Sequence, residues 1–260
     1  MELIRLNQSL FNDEFNKNEI EDNKNGARPY YYSFQRNNNR VCIPLRTNAR
    51  SVPEDYKLNL GHIQTRKPFS AIDTTKTIVM DNQTYLNNRT RTNINNDVYN
   101  YIKSNKQTIE DKFDQHTNDY ISAKSNLANT PLVRFSTLQY FHDELNIQPA
   151  IDNGILKNSI QELKENGNST RFNKLKDSIP QFKDTIEKYE TLHEFSNLSP
   201  YQSTIIDEDI KNPTLEIKKG DKTFSLTTEH IEKDTDKYFK DFLNYEHKDK
   251  QHNKDNELDL

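Results

Sequence analysis

The run from Arg28 to Arg46, RPYYYSF–QRNNN–RVCIPLR, constrains this chain more than any other stretch. An aromatic, β-prone segment leads into a polar, Asn-rich one, and a second apolar segment returns, which is the pattern of a β-hairpin. Asn suits such a turn because it tolerates left-handed backbone. Pro44 has no N–H to give to a ladder, so the returning strand should end, bulge or lie at an edge there. A further strand is predicted at Lys76–Met80 (KTIVM), bounded by Asp81 and Asn82. Residues 47–75 hold Asn48, Pro53, Asn59, Gly61 and Pro68, which reads as long loops with one short strand at most.

From Asn96 the hydrophobic period changes. Val98, Tyr101, Ile102, Asn105, Ile109, Phe113, His116 and Tyr120 recur at helical spacing and predict one helix to about Ala123. In STLQYFHDEL, Ser136 and Gln139 fit a capping box, and Leu138, Phe141, His142 and Leu145 form one stripe. A domain of residues 1–147 closes there, with the boundary at Gln148-Pro149. Residues 150–245 read as an acidic unit of unassigned function: helices at about 154–165 and 171–195, a hairpin around Lys219-Gly220-Asp221, and a helix at about 228–245. Residues 246–260 read as a disordered charged tail. The expected class is α+β, with helices packed on an antiparallel sheet and a helical/β-hairpin extension at the C-terminus.

Charge sharpens the picture. The net charge is -4, yet residues 28–106 carry 13 basic and 5 acidic residues, while residues 148–260 carry 17 and 23. A basic region of that kind suits a polyanion, since phosphate contacts dominate nucleic-acid affinity. Hydrophobic residues are only 32% of the chain, so the core is small for the length. No apolar run approaches the roughly 18 residues of a membrane span. The start, MELIRLNQSLFNDEF, carries acids and does not read as a secretory signal, so a soluble, cytoplasmic protein is expected. The single Cys42 excludes an intramolecular disulfide and a Cys-based zinc cluster.

Several chemistries lack their residues. There is no Gly-rich phosphate loop and no G-x-S-x-G elbow, and no His pairs with acids at metal-ligand spacing, so neither a metal nor a cofactor is expected. What remains is the strand end IPLRTNAR (43–50). It presents Arg46, Thr47, Asn48 and Arg50 together, and two guanidiniums beside neutral polar groups can hold a phosphate. Asp73-Thr74-Thr75-Lys76 then brings acid, hydroxyls and an ammonium to the entry of the KTIVM strand.

Taken in order, RPYYYSF (28–34), IPLRTNAR (43–50), AIDTTKTIVMDNQTYL (71–86) and FSTLQYFHDEL (135–145) resemble the TenpN branch of type III toxin–antitoxin toxins, relatives of ToxN and AbiQ. The resemblance covers about residues 1–147. It implies a compact, strongly bent, barrel-like antiparallel sheet of the MazF/Kid/ToxN type. It also implies a metal-independent endoribonuclease acting in abortive infection and phage defence. The partner would be a structured RNA antitoxin, a pseudoknot encoded in tandem repeats, assembled with the toxin into a heteromeric ring.

RNA supplies its own nucleophile, the 2′-OH, and the products would be a 2′,3′-cyclic phosphate and a 5′-OH. In that scheme Arg46 and Arg50 hold the scissile phosphate and Thr47 orients the 2′-OH or a phosphate oxygen. Lys76 donates a proton or clamps charge, Asp73 orients Lys76, and His62 is the histidine candidate for the base. RNA contacts fall to Arg28, Tyr30, Asn48, Arg66, Lys67, Asp73 and Thr75. Thr47 and Arg50 stand where the family more often has Ser and Lys, so Arg50 can clamp phosphate but cannot act as base. The alternative is a non-catalytic nucleic-acid-binding protein of a phage or plasmid that uses the basic 28–106 face. A structural adaptor would leave the four ordered motifs unexplained.

Overall fold

β1 (Glu2–Leu6) and a short α1 (Gln8–Asn12) precede the expected hairpin, β2 (Tyr31–Arg36) and β3 (Asn39–Arg46). The structure is a computed structural model that describes residues 1–12, 15–20, 30–64, 66–92, 94–166, 175, 180–199 and 201–233. The hairpin pairs from Tyr31↔Pro44 to Arg36↔Asn39, and Asn37 at its turn takes a left-handed φ of 51°. Arg28 and Pro29, the start of the hairpin motif, lie outside the described residues.

β4 (Lys57–Asn59), β5 (Ala71–Asp73), β6 (Ile78–Asp81) and β7 (Arg89–Arg91) complete a seven-stranded antiparallel sheet. Its order is β4-β5-β3-β2-β1-β7, with β6 also paired to β3. Thus the edge of β3 away from β2 is shared between two partners. Asn39–Cys42 pair with β6, and Leu45–Arg46 pair with β5. Ile43 and Pro44 fall between these partners, so the missing Pro44 N–H breaks no ladder on that side. The strand changes partner at Pro44 instead of ending.

The barrel-like closure implied by the resemblance is not formed among the described residues. β4 and β7 end the strand order without pairing to each other, and each is only 3 residues long. Short edge strands give little template for closure or for pairing with another chain.

α2 (Asn82–Asn88) follows β6, and the Asp81 carboxylate caps it by accepting from the N–H groups of Gln83 and Thr84. The one helix expected from Asn96 is two, α3 (Asn96–Ser104) and α4 (Lys106–Ser125). Asn105 divides them: its side-chain amide donates to the Tyr101 carbonyl, and its backbone N–H also turns back to Tyr101 and Ile102. The stripe Ile109, Phe113, His116 and Tyr120 on α4 is buried as its spacing predicts.

After α5 (Pro131–Phe135), STLQYFHDEL makes a 3-10 turn over Thr137–Tyr140 and then α6 (His142–Leu145). Ser136 Oγ accepts from Leu138 N–H at 3.1 Å, whereas Gln139 donates to the Arg134 and Ser136 carbonyls and closes no capping box. The Tyr140 hydroxyl donates to Glu19. His142 bridges the Tyr120 hydroxyl and Gln148, at 2.9 and 2.6 Å.

α7 (Gln148–Asn166) begins at the expected linker, because Pro149 fits a first helical turn that needs no N–H. The chain divides into compact units at Ile155/Leu156, inside this helix, and not at Gln148-Pro149. In the second unit α8 (Lys183–Leu198) accompanies a three-stranded sheet of β8 (Gln202–Ile206), β9 (Thr214–Lys219) and β10 (Lys222–Leu226), in order β10-β9-β8. Gly220 carries the positive φ of 58° that the β9–β10 turn requires. α9 (Thr228–Lys233) starts the last expected helix. Residues 234–260, including the 246–260 tail, and most of 171–179 lie outside the described residues. Among the described residues no helix is long and apolar enough to cross a membrane.

Candidate active site

Adjacent side chains on a strand point to opposite faces, and at the end of β3 this separates Leu45 from Arg46. Each lines a different cavity, and both cavities measure about 460 Å³.

The Arg46 cavity gathers Tyr56, Thr75, Lys76 and Ser136, with an apolar wall from Leu132 and Phe135. Residues from three of the four quoted motifs (43–50, 71–86 and 135–145) meet there. Asp73 lies behind it, fully buried. One Asp73 oxygen holds Arg46 Nη1 at 2.6 Å, and the other accepts from the Thr75 N–H and hydroxyl at 2.9 and 2.7 Å. Asp73 therefore orients Arg46 and Thr75, not Lys76 as expected. Lys76 Nζ is held instead by the carbonyls of Glu19 and Phe135, each at 2.9 Å.

Three of the four hydroxyls lining this cavity, all but Ser51, have an ionisable group behind them. Thr75 donates to Asp73, Tyr56 donates to Asp119 at 2.9 Å, and Ser136 Oγ lies 3.1 Å from His116 Nε2. Burial and the Asp119 carboxylate push the Tyr56 hydroxyl up to about 12, so it stays protonated at neutral pH. Burial pushes the His116 imidazole down to about 4 against the opposing pull of Asp73 and Asp119, so it is neutral at pH 7. Sequence reasoning placed His116 on a packing stripe and Ser136 at a cap, and overlooked Tyr56. Their separations along the chain left no local signal that they share a cavity.

The other sequence-predicted residues fall elsewhere. Thr47, Asn48 and Arg50 are exposed on the turn after β3. Asn48 Oδ1 accepts from the Arg50 N–H, and the Arg50 guanidinium lies 5.2 Å over the Phe69 ring. His62 does not line the Arg46 cavity; it packs edge-on against Tyr101 at 4.8 Å. Tyr30, Arg66 and Lys67 come together around the second cavity, on the Leu45 side. Arg28 lies outside the described residues. Among the described residues, no three His, Cys, Asp or Glu side chains cluster as a metal site. Cys42 is fully buried and its thiol is pushed up to about 12, as a packing residue mid-strand should be.

Comparison with protein-family models, curated proteins and solved structures returns no match.

Proposed function

We propose that this chain is an RNA-cleaving toxin of the type III toxin–antitoxin kind, an endoribonuclease whose active site is the Arg46–Lys76 cavity. The observation that carries the reading is the meeting of three separate motifs around that cavity, with two cations among its lining residues. Such a site suits a substrate that brings its own nucleophile. Arg46, fixed by Asp73, and Lys76, fixed by two carbonyls, stabilise the charge that develops on the non-bridging phosphate oxygens. Loss of one such preorganised donor typically costs about 2.7–4 kcal/mol of barrier.

Thr47 does not line this cavity and takes no step. Since His62 packs away from the cavity, the 2′-OH proton passes to Ser136 Oγ as Ser136 gives its own to neutral His116. Tyr56, held protonated, protonates the 5′-oxygen as it leaves. The products are a 2′,3′-cyclic phosphate and a 5′-OH, and a structured RNA antitoxin neutralises the enzyme by occupying the same face. The competing reading, a binder that does not cut, draws on the same basic residues and on the fact that Arg46 and Lys76 both have partners within the protein.

Induction in bacteria separates the two. Wild type is expected to arrest growth and create new 5′-OH RNA ends. Ser136→Ala, in the cavity wall, is expected to lose both effects while the purified protein keeps its RNA affinity. Arrest with intact RNA, or equal effects from Ser136→Ala, would favour the binder.

A further inference from the structure

We infer that the second cavity, on the Leu45 side of β3, is a recognition pocket for one unstacked nucleobase of single-stranded RNA. This rests on the RNA reading above and adds a base-selecting subsite to it.

Three kinds of surface meet in the pocket. The Tyr30 ring and Ile63 give an aromatic and aliphatic wall, Gln64 and Asn95 give amides, and Arg66 and Lys67 give exposed cations. Among the described residues no acidic side chain lines it. A volume of about 460 Å³ is within the range of small-molecule sites. An unstacked base needs this combination: a flat apolar surface for its face, hydrogen-bonding groups for its edge, and cations for the adjoining phosphates.

The polar groups differ in what they have left to offer. Asn95 Oδ1 is committed to capping α3, accepting from Asp97 N–H at 2.8 Å and Val98 N–H at 3.4 Å, so only its NH₂ can meet a ligand. The Gln64 side chain has no partner among the described residues, and its amide can both donate and accept. Gln64 is therefore the group able to tell one base edge from another. Arg66 and Lys67 likewise form no ion pair or side-chain hydrogen bond among the described residues.

The pocket is built in advance. Arg5 lies 5.1 Å over the Tyr30 ring and donates to its hydroxyl at 3.2 Å, fixing the ring. Gly61 packs so tightly on the Pro68 carbonyl that a Cβ there would lie 1.9 Å from its oxygen. Backbone bonds from Gln64 N–H to the Leu60 carbonyl and from Lys67 N–H to the Gln64 carbonyl hold the loop that presents the cations. The ring and the loop backbone therefore need little ordering on binding, which favours affinity.

The test is fluorescence anisotropy of the full chain with 12-mer oligo-A, oligo-C and oligo-U, 2′-O-methylated so that the 2′-OH cannot react. Wild type is expected to prefer one base by about tenfold, the scale of one good stack or bidentate edge contact. Gln64→Ala should erase that preference. Arg66→Ala with Lys67→Ala should weaken all three oligomers alike, by about tenfold, and flatten the salt dependence by about two phosphates. If wild type binds RNA but both sets of variants bind as it does, the pocket is refuted and the RNA reading stands. If the cation variant weakens binding while Gln64→Ala leaves the preference unchanged, the surface holds phosphate only and the base pocket is refuted. If wild type binds no RNA, both readings fall.

Discussion

His116 should make this protein lose stability as pH falls from 7.5 to 5. Its side chain is fully buried, and burial lowers its pKa from 6.5 to about 4. Above pH 6.5 the ring is neutral in both folded and unfolded chains and contributes no pH dependence. Between 6.5 and about 4 the unfolded chain takes up a proton that the folded chain refuses, so stability declines, and below about 4 the loss is complete. At 1.36 kcal/mol per pKa unit, a shift from 6.5 to about 4 costs about 2 kcal/mol by pH 5 and about 3 kcal/mol in full.

The assay is urea unfolding of wild type and His116→Gln at both pH values. Gln retains an amide toward Ser136 and does not titrate, so carboxylate contributions cancel between the two proteins. Wild type should lose about 2 kcal/mol more than the variant between pH 7.5 and 5. Identical pH dependence in the two would refute the buried, neutral imidazole, and with it the proton route through Ser136.

Arg46→Ala leaves the buried Asp73 carboxylate without its counter-charge and should cost about 3–5 kcal/mol in denaturant unfolding. Pairing it with Asp73→Ala should recover about 1–3 kcal/mol of the summed losses, and strict additivity would contradict the coupling. Gly61→Ala drives a Cβ into the Pro68 carbonyl and should cost about 1–3 kcal/mol with a displaced 61–68 loop, visible as faster amide exchange there. Unchanged exchange would show that the loop absorbs the methyl. Cys42 is 0% exposed with its thiol pushed up to about 12, so alkylation of the native protein at pH 8 should proceed only through opening of the sheet. Labelling as fast as in urea would contradict the burial.

The hairpin was legible because aromatic residues, Asn-rich turn and Pro44 all act locally. Its continuation was not. β1 opens a segment whose acids told only against a secretory signal, yet Glu2–Leu6 lies inside the sheet between β2 and β7. β4 and β5 are 3 residues each, too short for alternation to show; β5 pairs with Leu45 and Arg46 after Pro44, and β4 pairs in turn with β5. β8 was likewise unannounced in QSTII. Period alone also ran α3 and α4 together, since the break at Asn105 comes from one side-chain bond that a hydrophobic pattern does not register.

The site followed the same division. Residues adjacent in a motif, such as Thr75 and Lys76, were found together in one cavity. Long-range pairings were not foreseen: Asp73 took Arg46 across 27 positions, and Ser136 met His116 across 20. His62 looked eligible as a base only while its partner was unknown, and the Tyr101 ring supplied that partner.

The central claim is that the Arg46–Lys76 cavity cuts RNA through the substrate's own 2′-OH. The most direct measurement is incubation of the purified chain, in EDTA, with an RNA it cuts and with the same RNA carrying a single 2′-deoxy sugar at the cut position. Cleavage of the first to 2′,3′-cyclic phosphate and 5′-OH ends, with the second left intact, is the predicted result. Cleavage of the 2′-deoxy RNA at that position, or no cleavage of either, would contradict the account.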